Sequence, residues 1–171
     1  MTDHRVWHAS RDAYHCTFRF VRLLVAAGKP IELERLRILD MFLLYPPLLH
    51  RSSMPDEVRR QFRTLQIPKP DQLFLRLPSA AAVFQDLRLY QNSAVAQLTA
   101  RGLASATDLK QGLLVFNLAA VPEALIVQAR ERNRTDGGLT DFLVGPWSGQ
   151  PLRGSNNVYR KIGLPARGLA A

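Results

Sequence analysis

His4 and His8 stand four residues apart, a spacing that on a helix turns two imidazoles to one side, where they could chelate a metal. His15 completes the cluster, but His4 and His8 fall where a helix end frays, so no metal or other cofactor is expected. Cys16 follows His15 directly, and neighbouring helical residues point apart, which argues against a Cys–His dyad. As a lone cysteine it can neither close an internal disulfide nor pair with a second thiolate on zinc. No Gly-x-x-x-x-Gly-Lys-Ser/Thr loop is present to cradle a nucleotide phosphate. The acidic residues show no repeated pairing of the kind that holds metal ions in nucleases. The expectation is a protein without catalytic residues.

Positive charge is the chemistry that remains. The chain of 171 residues carries 23 basic and 14 acidic side chains, a net charge of +9 that favours nucleic acid or an acidic protein surface. Nearly all the basic residues are arginine, whose planar fork suits phosphate and carboxylate. A GC-rich coding sequence enriches arginine, alanine, leucine and proline in the same way, so composition alone leaves both readings open. Three groups stand out as nucleic-acid or partner contacts. Arg59, Arg60 and Arg63 cluster on one predicted helix, as a phosphate-contacting patch or a solvated face. Arg130, Arg132 and Arg134 crowd the end of another, where the helix dipole already favours cations. Gln97, Thr99 and Arg101 could face bases from a recognition helix, with Lys110 on a nearby turn touching phosphate.

The elements that must position these groups are mostly helical. Ser10 is the predicted cap of a helix over residues 11–27, stopped by Gly28-Lys29-Pro30. Tyr14, Phe18, Val21 and Val25 form its apolar stripe, with Arg11, Arg19 and Arg22 on the polar side. A second helix is predicted over residues 31–44, apolar nearly all round in its second half apart from Asp40. Buried there, Asp40 would need Arg37 or Arg22 as partner; at a helix edge it would cap a neighbour. Ser53-Met54-Pro55-Asp56-Glu57 reads as cap, proline and acidic first turn of a helix to about residue 65. Ile67-Pro68-Lys69-Pro70 reads as a linker, and Leu73-Phe74-Leu75-Arg76-Leu77 as a short strand or tight connection before Pro78.

Beyond the linker, Ser79 and then Asn92 or Ser93 are predicted caps of two helices, over residues 80–90 and up to Arg101. Gly102 supplies a left-handed stop, Leu103 opens an extended segment, residues 105–111 form a polar tip, and Gly112-Leu113-Leu114-Val115-Phe116 returns. That order matches a helix-turn-helix with a wing. Val121-Pro122-Glu123 opens a further helix, Gly137-Gly138 breaks it, and a short helix over residues 139–144 follows. The predicted fold is mainly α with a small β wing. It divides into a helical N-terminal half, residues 1–66, a winged-helix module with its following helix, residues 71–145, and a flexible or partner-docking tail, residues 146–171. Residues 157–162 could form a docking turn in that tail.

The segment from Ala27 to Pro46, with Leu36, Leu39-Asp40, Phe42-Leu43-Leu44 and Pro46, resembles a Leu-x-x-Leu-Asp-(aromatic)-Leu-Leu-x-Pro stretch. That stretch belongs to the middle components of ABC-three component systems, among them the small subunit of Lamassu-type anti-phage defence. The resemblance covers about residues 10–130 and carries no catalytic residues. It implies an accessory subunit that bridges an SMC/Rad50-like ATPase and an effector subunit, often a nuclease, with DNA as a further contact. The recognition helix is alanine-rich, which favours protein docking or sequence-independent DNA contact over base reading. The competing reading is a stand-alone winged-helix transcription regulator, a dimer on a palindromic site. No apolar run reaches the length of a membrane span, and the N-terminus lacks a signal-peptide core, so the cytoplasm is the expected compartment.

Overall fold

The computed structural model describes residues 8–72 and 77–164. His4 and residues 73–76 of the predicted strand lie outside them, as do residues 165–171 of the tail.

Helix α1 (Ala13–Ala27) begins two residues later than its sequence suggested. Asp12 is the cap, its carboxylate accepting the amides of Tyr14 and His15 at 2.8 and 3.1 Å. Ser10 sits instead in a preceding 3₁₀ turn, Ala9–Arg11, with its own amide on His8 Nδ1. Gly28 ends the helix at φ +60°, a conformation open to a residue without Cβ. The buried stripe runs through Cys16, Phe20, Leu23 and Leu24, while Tyr14 is 73% exposed and Phe18 and Val25 only partly covered. The apolar residues of this helix spread around most of its circumference. Neighbouring helices, rather than the periodicity, therefore choose which arc faces inward.

Ile31–Glu32 are a strand, β1, rather than the first turn of a helix. They pair antiparallel with β2 (Leu113–Leu114), Ile31 opposite Leu114 and Glu32 opposite Leu113. This pairing buries Ile31 and Leu114, which a solvated helical turn would leave exposed. Helix α2 (Leu33–Leu44) then passes through the centre of the molecule, with every residue from Leu36 to Leu43 buried. A 3₁₀ segment, Pro46–Arg51, leads to α3 (Asp56–Thr64), whose acidic first turn, Asp56 and Glu57, faces the positive end of its own dipole. Ser53 does not cap α3: its amide is held by the carbonyl of Lys161, and Pro55 occupies the cap position.

The two helices predicted between residues 80 and 101 are one, α4 (Ala80–Ala100). Ser79 caps it as expected, accepting the amide of Ala82. Neither Asn92 nor Ser93 starts a second helix. Asn92 Oδ1 is taken by Arg37 Nη2 at 2.6 Å, and Ser93 Oγ donates back to the carbonyl of Leu89. With both oxygens engaged and no glycine or proline in the run, nothing interrupts the ladder. Val83, Leu87, Gln91, Ala94 and Leu98 give α4 a buried stripe along its whole length.

Gly102, at φ +69°, turns the chain out of α4 into Leu103 and Ala104, and Ala104 bridges Phe116 antiparallel. The expected polar tip is a short helix, α5 (Ala106–Lys110), capped by Ser105. Three short extended pieces, at residues 31–32, 103–104 and 113–116, thus meet edge to edge. Helices α6 (Glu123–Arg134) and α7 (Leu139–Val144) follow, and α8 (Val158–Lys161), capped by Asn157, is the last helix among the described residues.

Helix α1 packs on α2, α4, α6 and α7, so elements from both sides of Pro68-Lys69-Pro70 share one core. The core continues past residue 146. Trp147 is buried edge-on against Phe42, ring centres 5.0 Å apart, and Val158, Ile162 and Leu164 are buried too. These apolar side chains, each worth about 1.5–3 kcal/mol on burial, hold residues 147–164 onto the body instead of leaving them pendent.

Candidate functional site

Charge inside this fold is paired, and the pairs identify which arginines are structural. Asp40, fully buried on α2, accepts Arg19 Nε at 2.6 Å and Nη2 at 3.3 Å, and Gln91 Nε2 at 2.9 Å. Arg19 Nη1 reaches on to the carbonyl of Ala9. One carboxylate therefore ties α1, α2, α4 and the N-terminal 3₁₀ turn together. Neither Arg37 nor Arg22 is its partner. Arg22 Nη2 meets Asp136 at 2.8 Å and its Nε meets Asn133 at 2.9 Å, joining α1 to the α6–α7 junction. Arg37 pairs with Glu34, whose other oxygen accepts Tyr159 OH at 2.8 Å. Arg19 and Arg22, placed on the polar side of α1 by sequence, are thus buried linkers.

Burial alone would lower the Arg19 guanidinium, but Asp40 holds it above its ordinary value. Burial lowers Arg22, against the opposing pull of Asp136. Burial and then the bond to Glu34 push the Tyr159 phenol up. Burial, with the negative charge of Asp40 added, also drives the Cys16 thiol well above its usual range. Cys16 in the folded protein is accordingly expected to resist iodoacetamide and to react once the chain is denatured. Mass spectrometry of alkylated native and unfolded samples checks this; rapid native modification would contradict it. Among the described residues no group of three or more His, Cys, Asp or Glu is placed to hold a metal. His8 bonds Ser10 through Nδ1.

The predicted base-reading set is not presented as a unit. Gln97 Oε1 accepts Thr17 Oγ1 across the α1–α4 contact at 3.4 Å, and Thr99 Oγ1 donates to its own helix at Val95. Arg101 and Lys110 are exposed. So are Arg130, Arg132 and Arg134, the last paired with Glu131 at 3.0 Å. On α3 the arginines divide. Arg60 pairs locally with the exposed Glu57. Arg59 and Arg63 turn to a cleft of about 370 Å³ between α3 and the Pro46–Arg51 segment.

This cleft carries charge of one sign among its described lining. Arg59, Arg63 and Lys69 border it, and no carboxylate lines it among the described residues. Met54, Phe62 and Ile67 give it an apolar lining. Phe62 is fixed from behind by Phe142, centroids 5.8 Å apart, and by the edge of His50, 4.9 Å away. His50 Nε2 is in turn 2.8 Å from the carbonyl of Ile67, which holds the chain leaving α3 across the recess. Arg59 is steadied by the carbonyl of Met54 at 3.2 Å, whereas the Arg63 side chain makes no ion pair among the described residues. Two further features sit at this cleft. Ser52 Oγ is buried without a hydrogen-bond partner among the described residues, and Gln66 adopts φ +51°, a left-handed conformation costly for a residue with a Cβ.

Residues 5–167 match the family described as ABC-three component (ABC-3C) system Middle Component 5. The chain belongs to that family. No curated protein and no solved structure matches it. A middle component of a multi-component system has partner proteins, so an exposed recess of uniform charge is a natural place to look for contact with one. The sequence pointed to Arg59 and Arg63 of this middle component. It missed Ser52, Ile67 and Lys69, which lie in segments that read as cap region and linker. Pro68-Lys69-Pro70 was the one available signal, since two prolines flanking a lysine hold an exposed cation on a stiff segment. No helix of the described residues is long and apolar enough to cross a membrane.

Proposed function

We propose that this middle component is a non-catalytic accessory subunit that bridges the SMC-like ATPase of a Lamassu-type anti-phage system and its effector, with DNA as a sequence-independent contact. The observation that carries the reading is the family match over nearly the whole chain. The fold supports it with a winged-helix-like order: helix α1, strand β1, helix α2, helix α4, then the extended pieces at residues 103–104 and 113–116. In this arrangement α2 and α4 take the helix-turn-helix positions, α3 is an insertion between them, and α5 is the tip of the wing. The exposed face of α4 offers Gln85, Asp86, Arg88, Leu89, Asn92 and Ala96, a poor set for bidentate base recognition. A scaffold role suits such a helix better than sequence reading.

The test is co-expression of this chain with the ATPase and effector components of such a system. The expected result is that both are retained on the tagged middle component through washing at moderate salt. A free dimer that protects a specific DNA sequence and retains neither component would establish the transcription-regulator reading instead.

A further inference from the structure

We infer that the cleft between α3 and the Pro46–Arg51 segment is the docking site for an acidic–apolar peptide segment of a partner subunit, an inference that rests on the accessory-subunit reading. Three observations converge on that occupant. Charge comes first: Arg59, Arg63 and Lys69 border the recess with no carboxylate among its described lining, so the occupant is anionic. Shape and polarity come second. Behind the cations lie Phe62 and Ile67, and about 370 Å³ of concave space suits one or two side chains. A duplex backbone would set its phosphates on the rim and leave the apolar floor unfilled. An acidic peptide with an adjacent leucine or phenylalanine fills both, its carboxylate on the Arg63 guanidinium and its apolar side chain against Phe62.

The third observation is the backbone of the wall. Gln66, strained at φ +51°, ends the wall that Arg63 and Phe62 begin, so the recess is held open by backbone geometry and not only by mobile side chains. A recess formed before binding spends less ordering entropy on its ligand.

The experiment uses the full chain and overlapping short peptides covering the ATPase and effector components, read by fluorescence polarisation, with a duplex oligonucleotide as the competing probe. Peptides that join acidic and apolar residues are expected to bind. Arg63→Glu should weaken them about tenfold or more, and Arg59→Glu about threefold to tenfold. Arg153→Glu, an equal charge change at an exposed residue that does not line the cleft, should alter binding by no more than about twofold. Thermal melts of each variant confirm that the fold is kept, as expected for the exposed Arg63. Equal loss in Arg63→Glu and Arg153→Glu would overturn the inference, because it would reduce the effect to net charge. So would cleft variants that lose the duplex but keep the peptides, since the recess would then be a phosphate site. Retention of the whole components by the wild type, unchanged in the cleft variants, overturns this inference and leaves the accessory role standing. Failure of the wild type to retain any component overturns both.

Discussion

Asp40→Ala should be the most damaging single change in this protein, lowering stability by about 3–5 kcal/mol. The carboxylate is fully buried and satisfies Arg19 twice and Gln91 once. Removing it leaves the Arg19 guanidinium desolvated and unpaired, a state far more costly than losing the pair as a whole. Gln91 adds to the loss, because its Oε1 already lacks a partner and its Nε2 would keep only the carbonyl of Arg37. The measurement is the denaturant midpoint of the variant against wild type, with the Arg19→Met/Asp40→Leu double variant measured alongside. The double variant should recover much of the loss, since well-packed apolar replacements of a buried pair are often neutral. Arg60→Ala is the contrasting control. Its pair with Glu57 is solvated, with side chains 72% and 66% exposed, and its loss should be barely measurable. An Asp40→Ala midpoint close to that control would show that the carboxylate does not organise the three helices.

Trp147→Ala should cost a comparable amount, about 3–5 kcal/mol. The indole is 1% exposed and packs edge-on against Phe42 of the central helix, so alanine would leave a cavity that the rigid α2 and α7 cannot close. Trp147→Phe should lose much less. The indole Nε1 is buried without an acceptor among the described residues, and phenylalanine removes that donor while keeping most of the contact. Urea denaturation of the two variants separates the cases. Near-equal losses would mean that the indole nitrogen is bonded in solution. A negligible loss in Trp147→Ala would return residues after 146 to the role of a loosely attached tail.

Local signals were legible where local chemistry decides the outcome. Gly28 as a stop, Ser79 as a cap and Val121-Pro122 before α6 all read correctly, because each depends on the conformational range or hydrogen bonding of its own few residues. The pairing of β1 was not legible, since Ile31–Glu32 and Leu113–Leu114 are more than 80 residues apart and two strand residues leave no period to detect. The predicted break in α4 failed for a related reason. Asn92 has the side chain of a helix cap, and only the presence of Arg37 on another helix diverts it.

The candidate cleft shows the same division. The cluster of arginines on α3 is visible in sequence because residues 59, 60 and 63 share one short helix. Which of them faces solvent and which faces a recess depends on where Pro46–Arg51 and Ile67 come to rest beside it.

By itself the sequence determined a helical chain rich in arginine, without a catalytic motif, with its helix ends marked by Gly28, Ser79, Gly102 and Pro122 and a resemblance to middle components carried by the stretch around Asp40. Those properties follow from residue type and near-neighbour spacing. The tertiary structure alone decided that Arg19 and Arg22 are buried linkers, that Trp147 belongs to the core, and that Arg59 and Arg63 share a cleft with Ser52 and Lys69. An arginine's role depends on the dielectric and the partner it meets after folding, and those come from residues far away in the chain.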